Sequence, residues 1–165
     1  MLSQPYIDLW GREETQENIL IRAFENFLSP GYISTTDDTH KAVEQELVRI
    51  YEETGDVSVF PSKTAKYFNV EGQRKDLTAE EYTAFAKAKG QKAYSLLEEL
   101  MKTDTYQSAS TDERKELIAD VYEYSTVFGK TQVSAYSTNG WKAKALEAEK
   151  NGDSALDVIL NRKRK

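Results

Sequence analysis

Thr78-Ala79-Glu80-Glu81-Tyr82 opens a run that continues through Phe85, Ala86, Gly90, Ala93, Leu96 and Leu97 to Leu100. Its first four residues form a T-x-x-E capping box. The threonine hydroxyl accepts from the third amide of a helix, and the glutamate reaches back to the cap amide. Beyond the box, Tyr82, Phe85, Ala86, Ala93, Leu96, Leu97 and Leu100 recur at helical spacing. The run therefore predicts a helix from 78 to about 102. Gly90 lies inside it, where glycine costs about 1 kcal/mol relative to alanine, so a close approach is expected there.

The same signature recurs in Ser110-Thr111-Asp112-Glu113, ahead of two adjacent rows. One is Leu117, Val121, Tyr124, Phe128 and Gln132; the other is Ile118, Tyr122, Ser125, Gly129 and Val133. A second long helix over 111–136 follows, with Gly129 on its buried side. The two glycines, Gly90 and Gly129, are expected to mark where the long helices cross.

Shorter elements extend outward from this pair. Ile19, Leu20, Ala23, Phe24 and Phe27 predict a helix over 13–28, stopped by Ser29-Pro30-Gly31. Val43, Leu47, Ile50 and Tyr51 predict one over 38–54, with Gly55 after it. Lys66 to Val70 and Gln73 to Leu77, on either side of Glu71-Gly72, predict a β-hairpin near 65–77. Trp141 to Lys150 and Ser154 to Asn161 predict two further helices. The expected fold is mainly α: a bundle of about five to six helices with a small hairpin and an extended N-terminal arm. The arm is residues 1–12, the helical domain 13–161, and 162–165 is a basic tail.

Composition limits the chemistry. The 165 residues carry a formal net charge of −6, no cysteine and a single histidine, His40. Disulfides, thiolate metal sites and a cysteine nucleophile are excluded. A lone histidine at a helix start has no partner for triad-type catalysis. There is no metal-ligand spacing and no phosphate loop; Gly129-Lys130-Thr131 falls inside a helical pattern without the upstream glycine of such a loop. Neither a catalytic residue nor a cofactor or metal is expected. No signal sequence or membrane-length apolar run is present. The expected location is the cytoplasm.

Charge is unevenly spread. Residues 1–60 hold twelve acids against Arg12, Arg22, Lys41 and Arg49. Glu13, Glu14, Glu17, Asp37, Asp38, Glu44, Glu52, Glu53 and Asp56 are a candidate acidic face. The arm carries Tyr6, Ile7, Leu9 and Trp10, apolar enough to dock on its own core or on another chain. Tyr6, Leu9, Trp10, Tyr32 and Ile33 are the candidate protein contacts. A net acidic chain repels nucleic acid unless it has a basic face, so direct nucleic-acid binding is not expected.

Three stretches carry a resemblance. They are Arg22 to Tyr32; Leu77 to Tyr82 with Lys89-Gly90-Gln91-Lys92-Ala93-Tyr94; and Val121-Tyr122-Glu123-Tyr124 with Gly140-Trp141-Lys142-Ala143-Lys144-Ala145. In this order they resemble a helical segment near the C-terminal end of very large phage and prophage proteins of Gram-positive gut bacteria, the large polyvalent or internal virion proteins. The resemblance covers about residues 12–160 and carries no catalytic residues. It implies a phage-derived protein-interaction module, structural or scaffolding in character, with a phage structural protein as partner and the host bacterial cytoplasm or the virion as its location. The chain departs from that family in scale, as an excised domain or a small protein descended from one. The alternative expectation is a small acidic inhibitor of a host defence nuclease, anti-CRISPR-like, that presents carboxylates to a basic surface.

Overall fold

A computed structural model describes residues 6–7, 9–11, 13–14 and 41–162. Its described elements are six helices and two antiparallel strand pairs. Helix α1 is Lys41–Thr54. A short 3-10 turn, Val57–Val59, leads to strands β3 (Tyr67–Val70) and β4 (Gln73–Asp76). Then come α2 (Ala79–Met101), α3 (Asp104–Ser108), α4 (Thr111–Thr131), α5 (Gly140–Lys150) and α6 (Ala155–Leu160). Strands β1 (Tyr6–Ile7) and β2 (Glu13–Glu14) pair at the N-terminus.

Both capping boxes form. The Glu81 amide donates to Thr78 Oγ1 and the Thr78 amide to Glu81 Oε1, at 3.1 and 3.0 Å. Ser110 and Glu113 repeat the exchange. The two helices they start, α2 and α4, are the central pair of the bundle. Leu96, Leu97 and Leu100 meet Leu117, Ile118, Val121 and Tyr124 in one core, all buried. Leu47 and Ile50 of α1 close that core from one direction, Ala145 of α5 with Leu156 and Ile159 of α6 from another. Burying a leucine or isoleucine side chain stabilises by roughly 1.5–3 kcal/mol, so this contiguous cluster is the main source of stability.

The hairpin has the expected form. Tyr67 faces Asp76 and Val70 faces Gln73. Glu71 and Gly72 both take positive φ, 52° and 80°. A two-residue turn with positive φ at both positions matches the twist of its strands.

Several expectations need correction. Glu13–Glu14 is not the start of a helix: its backbone pairs with Tyr6–Ile7. The rest of the helix expected over 13–28 lies outside the described residues, as do 36–40 ahead of α1. Helix α4 ends at Thr131, not 136, because the Gln132 and Val133 amides turn back to Gly129 and Lys130 carbonyls three residues earlier. Helix α3 was not expected; the Thr103 hydroxyl caps it by accepting from the Tyr106 amide. Arg162, the first residue of the basic tail, is tied into the bundle. It donates to Asp120 at 2.7 Å, and its guanidinium lies 4.5 Å from the Trp141 ring centre.

The nearest neighbours of Gly90 and Gly129 are different groups, and neither is the other glycine. A Cβ on Gly90 would fall 2.3 Å from the Gly11 nitrogen and 2.5 Å from the Trp10 carbonyl carbon. Gly90 is thus the seat of the N-terminal arm. A Cβ on Gly129 would fall 2.7 Å from the Phe85 ring. Gly129 is therefore where α4 presses on α2, and the two close approaches are separate.

Candidate interaction surface

The arm contributes Leu9, Trp10 and Gly11. Trp10 is 6% exposed and belongs to the core. Its indole N–H donates to Glu44 Oε1 at 3.0 Å, and its ring meets Tyr94 edge-on with centroids 6.0 Å apart. Gln91 Nε2 donates to the Gly11 carbonyl at 3.2 Å. Between its own core and another chain, Trp10 has taken its own core, so it is not a contact for another chain. Leu9 beside it remains partly open. The side chain of Tyr6 lies outside the description, as do Tyr32 and Ile33.

The proposed acidic face does not assemble as expected. Glu44 is buried under Trp10. Glu53 accepts from Arg49 and from Thr111 Oγ1, at 3.0 and 2.8 Å. Asp56 pairs with Lys115 at 2.9 Å, and hydrogen bonds from Ser58 and Lys115 hold its carboxyl well below the usual range. Glu52 is exposed. Glu13 and Glu14 are strand residues, and Glu17, Asp37 and Asp38 lie outside the described residues.

A tighter acid site lies between α1, α3 and α4. Glu46 accepts from Arg49 Nε at 2.8 Å, from Arg114 at 3.0 Å and from the Tyr106 hydroxyl. Arg114 also donates to the carbonyls of Tyr106 and Gln107, clamping the end of α3. Burial pushes the Glu46 pKa up, but the bonds from Arg49 and Tyr106 and the two guanidinium charges outweigh it, leaving the carboxyl below its ordinary value. A carboxylate saturated in this way is a poor general base. It ties together the wall of a groove of about 490 Å³ that Ala42, Val43 and Met101 also line. A second recess, about 670 Å³, lies between α5 and α6 over Trp141 and Arg162. Among the described residues, no three His, Asp or Glu side chains converge on a metal position; His40 is outside them.

The hairpin is where side chains are turned outward in a fixed arrangement. Its alternation sends Phe68 inward, where it meets Phe85 and Tyr136 at ring distances of 5.3 and 6.1 Å. Tyr67, Asn69, Arg74 and Asp76 share the opposite face, all exposed. The Arg74 guanidinium lies 3.8 Å from the Tyr67 ring centre and donates to Asp76 at 2.8 Å. Lys75 pairs with Glu81 at 2.9 Å, fastening the hairpin to the first turn of α2. Tyr67 and Arg74 were not singled out from the sequence. The signal was present: strict alternation across a two-residue turn puts 67, 69, 74 and 76 on one face.

Beneath the hairpin, Lys130 near the end of α4 sits between two rings. Its ammonium is 5.3 Å from the Phe68 ring centre and 4.9 Å from that of Tyr136. Lys89 of α2 is 9% exposed and donates to the Ser62 carbonyl at 3.1 Å. Burial, and then the neighbouring charge, lower the proton affinity of both: Lys130 acts on Lys89, and Lys142 on Lys130.

Among the described residues, no helix is long and apolar enough to cross a membrane. Comparison of the chain with protein-family models, with curated proteins and with solved structures found no match.

Proposed function

We propose that this chain is a non-enzymatic protein-interaction module of phage or prophage origin, structural or scaffolding in character. The observation that supports an interaction role is the exposed Tyr67–Arg74 pair on the hairpin. Tyrosine and arginine, with tryptophan, are enriched at the energetic centres of interfaces, where each brings large contact area and directed polar contacts. Here each holds the other in place before any partner arrives, and the hairpin that carries them is fixed to α2 through Phe68 and Lys75. The phage origin is supported by the resemblance, whose stretches include frame-building positions: the Thr78 capping box, the arm seat at Gly90 and the start of α5.

The test is capture from phage-infected cells with the wild-type chain and with Tyr67→Ala/Arg74→Ala, read by mass spectrometry. Virion proteins captured by the wild type and lost in the double variant are the expected result. Capture of a host defence nuclease instead, insensitive to the hairpin changes and lost on charge reversal of Glu52 and Glu53, would replace this reading with the acidic-inhibitor one.

A further inference from the structure

Strand β4 pairs with β3 along one edge, and its other edge faces outward. Among the described residues no third strand joins the two. The Leu77 amide donates to the Lys66 carbonyl at 2.9 Å, where the strands leave the hairpin. In an antiparallel ladder, pairs that exchange main-chain bonds alternate with pairs that do not. Counting from Lys66 and Leu77, the bonded pairs are Phe68 with Lys75 and Val70 with Gln73. Tyr67 with Asp76 and Asn69 with Arg74 are the pairs between them. The N–H and C=O groups of Arg74 and Asp76 therefore point away from β3, along the outer edge of β4. Their side chains are 60% and 73% exposed, and the space around the turn at Gly72 is open. Charged side chains ordinarily blunt such an edge against other strands. Which strands they exclude depends on their order, here Arg74, Lys75, Asp76.

We propose that β4 is a self-association edge, where two copies of this chain pair β4 with β4, antiparallel, about a two-fold axis at Lys75. The register follows from charge. A two-fold contact is self-complementary, and main-chain bonds across it need the outward groups at 74 and 76 to meet outward groups. An axis at Arg74 sets guanidinium against guanidinium, and an axis at Asp76 sets carboxylate against carboxylate. An axis at Lys75 sets each Arg74 opposite the other copy's Asp76 and bonds the main chain at both pairs. Opposite charges facing each other across strands favour pairing, and like charges oppose it. The two Lys75 side chains also face each other, on the inner side, but each is held by its own Glu81 at 2.9 Å. The outer edge of β3 offers Tyr67 and Asn69, which have no charge to set a register. The resulting sheet, β3-β4-β4-β3, places two Tyr67–Arg74 faces side by side. This goes beyond the interaction reading above, which needs only one such face. A contact along a strand of 4 residues falls well short of the roughly 1,000 Å² of a stable interface. The pair is therefore weak, with a dissociation constant on the order of 10⁻⁴ M.

The experiment is sedimentation equilibrium of the full chain, from about tenfold below that concentration to about tenfold above it. Wild type is expected to pass from monomer to dimer. Arg74→Asp and Asp76→Arg each set like charges across the axis, and each should weaken self-association about tenfold or more. Mixed in equal amounts, these same two variants should associate with each other as strongly as wild type, because every facing pair between unlike copies is then opposite in charge. The double swap Arg74→Asp/Asp76→Arg keeps the complementarity and should dimerise by itself. Both positions are exposed, so each variant should melt close to the wild type, which checks that it folds. A wild type that stays monomeric throughout, single variants that associate as well as wild type, or a mixture that stays monomeric overturns the proposal. Hairpin-dependent capture of virion proteins by a chain that stays monomeric removes this pairing and keeps the interaction reading. Dimerisation without capture does the reverse.

Discussion

Two glycines on buried helix faces do different things, and substitution separates them. Alanine at Gly90 improves helix propensity by about 1 kcal/mol, yet its methyl group occupies the place of the Gly11 amide. Main chain cannot step aside as a side chain can, so Gly90→Ala should unseat the arm and expose Trp10, seen as a red shift of tryptophan emission. At Gly129 the obstacle is the Phe85 ring, itself wedged against Phe68. Gly129→Ala should cost about 1–3 kcal/mol by overpacking and leave the emission maximum in place. Equal emission shifts in the two variants would show that Gly90 does not seat the arm.

Among the elements, α1 is attached through a carboxylate whose ionisation matters. Glu46 joins it to α3 and α4. Its carboxyl lies below the ordinary 4.5 when folded. The folded form therefore holds this proton less tightly than the unfolded chain does. The resulting stabilisation is fully present above about pH 4.5 and is lost as pH falls through the folded value. Glu46→Gln should lower stability at pH 7 by about 1–3 kcal/mol, and the gap to wild type should narrow on acidification, as measured by urea unfolding across pH 3–7. A gap independent of pH would mean that packing, not charge, holds α1. The elements also show what could be read in advance. Helices α2 and α4 announced themselves through cap residues and apolar rows, and the hairpin through Glu71-Gly72, because those signals are local. The end of α4 was overrun because Gln132 and Val133 continue both rows in sequence after the backbone has tightened. The burial of Glu44 had no local sign at all: its reason is the indole of Trp10, 34 residues away.

For the whole molecule, the stretch 9–11 is a structural part and not an appendage. Trp10 joins a core otherwise made by helices, and Trp10→Ala should cost about 3 kcal/mol with a corresponding drop in Tm. Deleting residues 1–12 should do at least as much; an unchanged Tm would return the arm to the role of a free contact. The seat itself has a consequence for how this sequence can drift. Most packing contacts can be repaired when one partner changes, by an opposite change in the size of the other. The touch between Gly11 and Gly90 is main chain against main chain, and Gly11 is further held at φ +79°. Neither position has a side chain to trade. Descendants that keep the arm in place must keep both glycines, whereas Leu9, exposed beside them, is free to vary.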